Sequence, residues 1–182
     1  MLYYEIIIGP MFSGKSTELF RRANRYKCIG KNVLVVNHNN DTRTSGISTH
    51  DGKEMAAIKL DDNKLLELNE MDGWDNIDVV CIDEAQFFGK LYEFILKIEK
   101  ENKIVIVAGL DGTSDRVAFG DGNIINTIPL CNKVDKLSAL CMVCRDGTKA
   151  IFSKRILGES GEICIGAGDK YIAVCRKDFF CD

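Results

Sequence analysis

Gly9-Pro10-Met11-Phe12-Ser13-Gly14-Lys15-Ser16 fits the pattern G-x-x-x-x-G-K-[ST] in full. The chemistry of such a loop is phosphate binding. Its backbone N–H groups and the following helix N-terminus face the anion, a lysine adds a point charge, and the Ser16 hydroxyl can ligate Mg²⁺. A magnesium site also needs a carboxylate at the end of a buried strand, and Val79-Val80-Cys81-Ile82-Asp83-Glu84 supplies Asp83. Glu84 follows at once. Adjacent acids at a strand end point in different directions, so one can serve the metal while the other takes a proton from an attacking hydroxyl or water. Asp111, in Leu110-Asp111-Gly112, is a third acid at a strand end whose role the sequence leaves open.

The chain holds eight cysteines, and five of them (Cys141, Cys144, Cys164, Cys175 and Cys181) fall in its last quarter. No secretory leader is expected, because the first apolar run, Ile6-Ile7-Ile8, is short and enters the glycine loop. The cysteines therefore do not read as a disulfide framework, and the crowding around Cys141-x-x-Cys144 suggests a metal. Cys28, Cys81 and Cys131 read as small buried or half-buried side chains. His38 and His50 have no ligand spacing to each other or to the cysteines.

These residues need elements to hold them. Residues 3–8 read as a strand feeding the loop, with a helix from Lys15 to about Cys28. Buried strands are expected at 33–37, 79–83 and 103–112, and a helix at 91–102 with Leu91, Phe94, Ile95 and Ile98 as its apolar stripe. The polar stretch from His38 to Gly52 reads as a long loop. Strands alternating with helices imply an α/β fold with a parallel sheet flanked by helices. After about residue 140 the short β-prone pieces AIFSKRIL and EICIG suggest a small second unit, giving domains at 1–140 and 141–182.

The composition is that of a globular chain: 182 residues, 46% hydrophobic and 28% charged, enough for one α/β domain with a small appendage. A net charge of −3 leaves no basic excess to neutralise a nucleic-acid backbone, and no run approaches membrane-spanning length. The expected compartment is the cytoplasm. The basic residues Arg21, Arg22, Arg25 and Lys27 on the first helix read as a solvated or subunit-contact face.

A phosphate loop alone does not choose a function. Asn132-Lys133-Val134-Asp135 spells the N-K-x-D that reads guanine in switch GTPases, but Asp83 is followed by Glu-Ala-Gln where such a GTPase carries D-x-x-G. Asp83-Glu84-Ala85-Gln86 spells a DEAQ box, so a nucleic-acid-stimulated ATPase of helicase type is the alternative. Such motors use two sheet domains, and this chain has room for one. The third reading is a phosphotransferase acting on a small hydroxyl-bearing substrate. Here GPMFSGKSTEL, DTR at 41–43, THD at 49–51, IDEAQFF at 82–88, LDGT at 110–113 and GDKY…VCRK at 168–177 occur together and in order. They resemble the type II thymidine kinases, the P-loop, zinc-ribbon family, over essentially the whole chain.

The resemblance implies transfer of the ATP γ-phosphate to the 5′-hydroxyl of thymidine, and of deoxyuridine, with Mg²⁺ at the phosphates and a structural Zn²⁺. It places ATP on Gly9, Pro10, Met11, Phe12, Ser13, Gly14, Lys15 and Ser16, and on Asp41, Thr42, Arg43, Asp83, Glu84, Ala85 and Gln86. Ser16 and Asp83 would hold Mg²⁺, Glu84 would be the base, and Arg43 would stabilise the transition state. Met11, Phe87, Leu110, Ser114 and Phe119 would line the nucleoside. The family carries an aromatic where this chain has Ser114, so that wall is expected to be missing or filled by another side chain. A lasso of Glu162, Ile163, Cys164, Ile165 and Gly166, with Tyr171, would close over the base and read it through backbone groups. Cys141, Cys144 and Cys175 match three zinc ligands; the fourth falls on Asp178, with Cys181 as the substitute and a ribbon without metal as the third alternative. Family members assemble as homotetramers or dimers, with no nucleic-acid or membrane partner implied.

Overall fold

A computed structural model describes residues 1–39, 56–121, 123–156 and 170–181, and of 47–48 and 54–55 the backbone alone. In chain order the strands and α-helices run β1 (Tyr3–Gly9), α1 (Lys15–Cys28), β2 (Val33–His38), β3 (Ile47–Ser48), β4 (Glu54–Met55), β5 (Ile58–Leu60), α2 (Asp62–Leu66), β6 (Val79–Ile82), α3 (Leu91–Lys97), β7 (Ile104–Leu110), β8 (Lys133–Lys136), β9 (Ala139–Leu140), β10 (Lys149–Ala150), β11 (Phe152–Arg155), β12 (Tyr171–Val174) and α4 (Arg176–Phe179). Six strands form one sheet in the order β5-β2-β6-β7-β1-β8, and every pairing in it is parallel.

Period-two alternation sorts the strands' side chains into two layers. Tyr4, Ile6 and Ile8 of β1 face the side where Val80, Ile82, Val105 and Val107 meet α3 and the segment around Trp74. Ile7 points the other way, with Val35, Cys81, Ile106 and Ala108, onto Leu19, Phe20 and Ala23 of α1. With both faces covered, the central strands are continuous apolar runs, and the functional groups collect where the strands end.

Helix α3 stops at Lys97, short of the expected 102. Ile98 is the last residue of the apolar stripe and serves as the C-cap; the polar residues 99–102 have nothing to bury, and Glu101 N–H turns back to Ile98 O. The basic face of α1 also differs from expectation. Arg21, Arg25 and Lys27 are exposed, but Arg22 is buried, with its guanidinium on Glu5 of β1, Glu18 of α1 and Asp135 of β8. The N-K-x-D string is thereby accounted for: Asp135 is an ion-pair partner and Asn132 Oδ1 accepts from Tyr4 N–H at 2.8 Å. Cys81 is buried and Cys131 half-buried as expected, whereas Cys28 is exposed at the end of α1.

A third, smaller cluster packs Ala139, Cys141, Ala150, Ala173, Val174 and Cys175 together. It is built from two antiparallel pairs, β9 with β10 and β11 with β12. Phe12, from the middle of the phosphate loop, packs against it.

Candidate active site and metal cluster

The loop Gly9–Ser16 leaves β1 and enters α1, as the sequence pattern requires. Gly14 caps the helix at φ 80°, a left-handed conformation that a side chain would strain. Lys15 Nζ and Ser13 Oγ both donate to Pro10 O at 2.8 Å, and Met11 N–H donates to Ser153 Oγ of β11 at 2.9 Å. Phe12 holds φ 62° while its ring packs on the third cluster, so the loop's bulky interior is a seam with the C-terminal unit. No sequence signal marks Ser153.

At the end of β6, beside this loop, Asp83 is 2% exposed and accepts from the Ser16 hydroxyl. Burial pushes its carboxyl up to about 7, and the Glu84 charge adds to the rise; Ser16, the Glu84 amide and the Lys15 charge pull it down. Ser16 and Asp83, expected together from separate motifs, are thus in contact. Both bear oxygen donors of the kind hard cations take, which fits Mg²⁺. Glu84 sits at φ 51°, a position unfavourable for a residue with a Cβ. Its amide donates to Asp83 Oδ1 at 3.0 Å, while its Oε2 accepts from Gln86 Nε2 at 2.6 Å.

Gln86 is 1% exposed and ties three elements together. Its Oε1 accepts from Leu110 N–H at 2.9 Å, and its backbone oxygen accepts from Asn123 Nδ2 at 2.6 Å. Leu110, at the end of β7, and Glu84 are therefore held by one buried amide. The third strand-end acid, Asp111 after β7, pairs with Lys136 at 2.8 Å, which answers the question left open by the sequence.

Next to this network lies an aromatic group. Phe87 is half-buried, 6.1 Å from Phe119 edge to face and 5.8 Å from the His38 ring, and Phe88 behind it is fully buried. Burial keeps His38 below its ordinary value although Asp62 and Asp61 act against this, so His38 serves as an aromatic wall for Phe87 and Phe88. Ser114 lies half-buried in the turn closed by Thr113 N–H on Val117 O at 2.8 Å. Ala85 is buried in the larger hydrophobic cluster, and Tyr171 is buried on β12 with its hydroxyl 3.3 Å from Arg155 Nη2. Asp41, Thr42, Arg43 and the lasso residues Glu162, Ile163, Cys164, Ile165 and Gly166 lie outside the described residues, as does His50.

Among the described residues, Cys141, Cys144, Cys175 and Asp178 bring four ligand atoms within 4.8 Å of one another. Three thiols converge on Asp178 Oδ2 at 2.9–3.2 Å. Those contacts hold the Asp178 carboxyl at about 2. The Cys144–Cys175 sulfur separation is 3.9 Å. Zinc–thiolate bonds at the tetrahedral angle would set sulfurs ~3.8 Å apart, so the donor set fits a closed zinc site. Cys181, the substitute ligand, is exposed and absent from the cluster; its carbonyl accepts from Lys154 Nζ.

The geometry agrees with comparison to known proteins. The family model "Thymidine kinase" matches residues 3–179. A thymidine kinase of Vaccinia virus (strain Ankara) is 46% identical over 177 residues, 96% of this chain and 95% of the relative. That of Monkeypox virus is 44% identical over 176 residues, covering 96% and 95%. That of Yaba monkey tumor virus is 46% identical over 179 residues, covering 98% and 94%. Among solved structures, domain III of the Thermotoga maritima replication initiation protein DnaA gives a TM-score of 0.43 at 14% identity, over 74% of this chain and 54% of that one, too slight a likeness to bear on function. With its loop, its paired strand-end acids and its cysteine cluster all inside a match that runs nearly from end to end, the chain belongs to the thymidine kinase family of enzymes.

Proposed function

We propose that the protein transfers the γ-phosphoryl group of ATP to the 5′-hydroxyl of thymidine, and of deoxyuridine, yielding the 5′-monophosphate and ADP. The observation that carries this reading is that the adjacent acids Asp83 and Glu84 take different partners. One carboxylate rests on Ser16 and the phosphate loop, and the other is turned toward Gln86 on the aromatic side. Residues 9–16 and Lys15 bind the triphosphate, with Ser16 and Asp83 holding Mg²⁺, which when bound neutralises charge on the phosphates. Asp41, Thr42, Arg43 and the segment from Ala85 to Gln86 complete the nucleotide side. Glu84 takes the 5′-hydroxyl proton as that oxygen bonds to the γ-phosphorus and the bond to the β–γ bridging oxygen breaks. Arg43 offsets the charge that develops there.

Met11, Phe87, Leu110, Ser114, Phe119, Tyr171 and residues 162–166 form the nucleoside site in this reading. The T-shaped pair of Phe87 and Phe119 supports it, since a planar base stacks or edges onto such rings. Cys141, Cys144, Cys175 and Asp178 hold a structural zinc. We also take the chain as two domains, 1–140 and 141–182, assembling as a homotetramer or dimer in the cytoplasm. The small third hydrophobic cluster is consistent with the division, and no helix among the described residues is long and apolar enough to cross a membrane.

The test is transfer from γ-labelled ATP with thymidine, deoxyuridine, deoxycytidine or single-stranded DNA supplied separately. Label is expected on thymidine and deoxyuridine. ATP hydrolysis that ignores nucleosides and rises with DNA would overturn the proposal in favour of a helicase-type ATPase.

A further inference from the structure

We propose that Arg116 is a positioning residue through which the metal ribbon sets the affinity for the acceptor nucleoside; this rests on the function proposed above. Arg116 sits between Ser114 and Phe119 at φ 65°, a left-handed conformation unfavourable for a residue with a Cβ. The corner is closed locally by Arg116 N–H on Thr113 O at 3.0 Å, inside the wider Thr113–Val117 turn. Residues 115–117 of this turn are exposed, held by the two backbone bonds and by Asp115 N–H on Thr113 Oγ1 at 3.2 Å, and the Arg116 side chain supplies another hold. Its guanidinium carbon lies 4.6 Å from the Phe179 ring centre, 4.8 Å from that of Phe180 and 5.9 Å from that of Phe152. Among the described residues no carboxylate pairs with Arg116, so the rings are the seat of its charge.

The ownership of those rings matters. Phe152 opens β11, and Phe179 follows Asp178 directly, in the short helix that delivers the fourth ligand atom. Phe152 and Phe179 also pack on each other at 5.0 Å. At the other end of the loop Phe119 meets Phe87 at 6.1 Å. A path of ring contacts and short stretches of chain therefore runs from Asp178 through Phe179 and Arg116 to Phe119 and Phe87. A metal that fixes Asp178 fixes the ring on which Arg116 rests. Loss of the metal, or of the guanidinium, frees the turn that carries Ser114 and leads into Phe119. The phosphate loop is held to the same strand β11 by Ser153 on the Met11 amide, a contact in which Arg116 takes no part.

The experiment uses full-length wild type, Arg116→Ala, Arg116→Lys and Phe179→Leu. Amide hydrogen exchange at Thr113 and Arg116 and the KM values for thymidine and ATP are measured with zinc bound and after chelation. In Arg116→Ala, exchange at the two amides is expected to rise about five- to tenfold and the thymidine KM by a similar factor, the size of one cation–π contact. The ATP KM and bound metal stay at wild-type levels, and Arg116→Lys recovers part of the loss. Chelation should speed exchange in wild type and add little in Arg116→Ala; Phe179→Leu should mimic Arg116→Ala without touching the turn. Unchanged exchange and thymidine KM in both variants would overturn the proposal, as would parallel loss of both KM values together with the metal. A wild type that accepts no nucleoside overturns the kinase reading instead, and the exchange measurements still decide the coupling.

Discussion

Replacing Glu84 by Gln separates the chemistry of the proposed base from everything else it does. The substitution preserves size and the left-handed backbone at φ 51°, and an amide oxygen can still accept from Gln86 Nε2, now 2.6 Å from the carboxylate. Trading a charge-assisted bond for a neutral one costs about 1 kcal/mol, so the variant should fold and bind nucleotide. Its effect on Asp83 has a definite sign. The Glu84 charge is one of the two causes that push Asp83 up to about 7, so removing it lowers that value and leaves more Asp83 ionised at neutral pH. Binding of Mg²⁺ and ATP should therefore hold steady or tighten, while kcat falls by about 10²–10⁴-fold, the contribution of a positioned general base. Stopped-flow binding of a fluorescent ATP analogue and single-turnover transfer to thymidine measure the two quantities. Retention of kcat within tenfold would remove Glu84 as the base, and weaker Mg²⁺–ATP binding would show that it serves the metal.

Arg22→Met should destabilise the fold by about 2–4 kcal/mol in urea titrations at pH 7, because three largely covered carboxylates lose their shared cation. The same comparison carries a pH signature: Arg21 and Arg22 hold Glu18 at about 2, below its ordinary 4.5, so the stability it contributes is whole above 4.5 and is lost as pH falls toward 2. The gap between wild type and Arg22→Met should thus narrow at pH 3; a constant gap would show that packing alone is at stake. Gly109→Ala should cost about 1–3 kcal/mol, since its Cβ would lie 2.7 Å from Gln86 Oε1 and break the bond to Leu110 N–H; an unchanged melting temperature would show that Gln86 is free to move. Asp178→Ala should lower zinc affinity at least about tenfold while Asp178→Cys retains or raises it, read by metal analysis of dialysed protein. Full zinc in the alanine variant would mean that a different group is the fourth ligand.

Much of the nucleotide side was legible because its signals are local. Gly14, Lys15 and Ser16 announce a strand-to-helix loop within eight residues, and the apolar run ending in Asp83 marks a parallel strand's end. The cysteine cluster was legible for a similar reason, and the choice between Asp178 and Cys181 turned on which residue the short helix α4 carries inward. What stayed hidden depends on meetings between distant segments. Arg22 looked like one of several solvated basic residues, yet one turn of α1 carries it over Glu5 and beside Asp135, 113 positions away. Gln86 was read with the nucleotide segment, and nothing local shows that its amide spans two strand ends. Phe12 was read only as part of the ATP loop because its neighbours come from the C-terminal cluster, and Arg116 is an ordinary loop arginine until Phe179 and Phe180 are brought under it.

The bond from Met11 N–H to Ser153 Oγ joins residues 142 positions apart. It also dictates an order of events during folding. The helix after the phosphate loop can form from local contacts within microseconds, but the loop's outer edge is secured only when nearly the whole chain has been laid down and the last hairpin has docked. Sheet and helix signals should therefore return before nucleotide binding when the denatured protein is diluted into buffer. Ribosome-bound chains that end before Ser153 would hold a formed sheet with an unsecured cradle, and competence for ATP would arrive as a late step of synthesis.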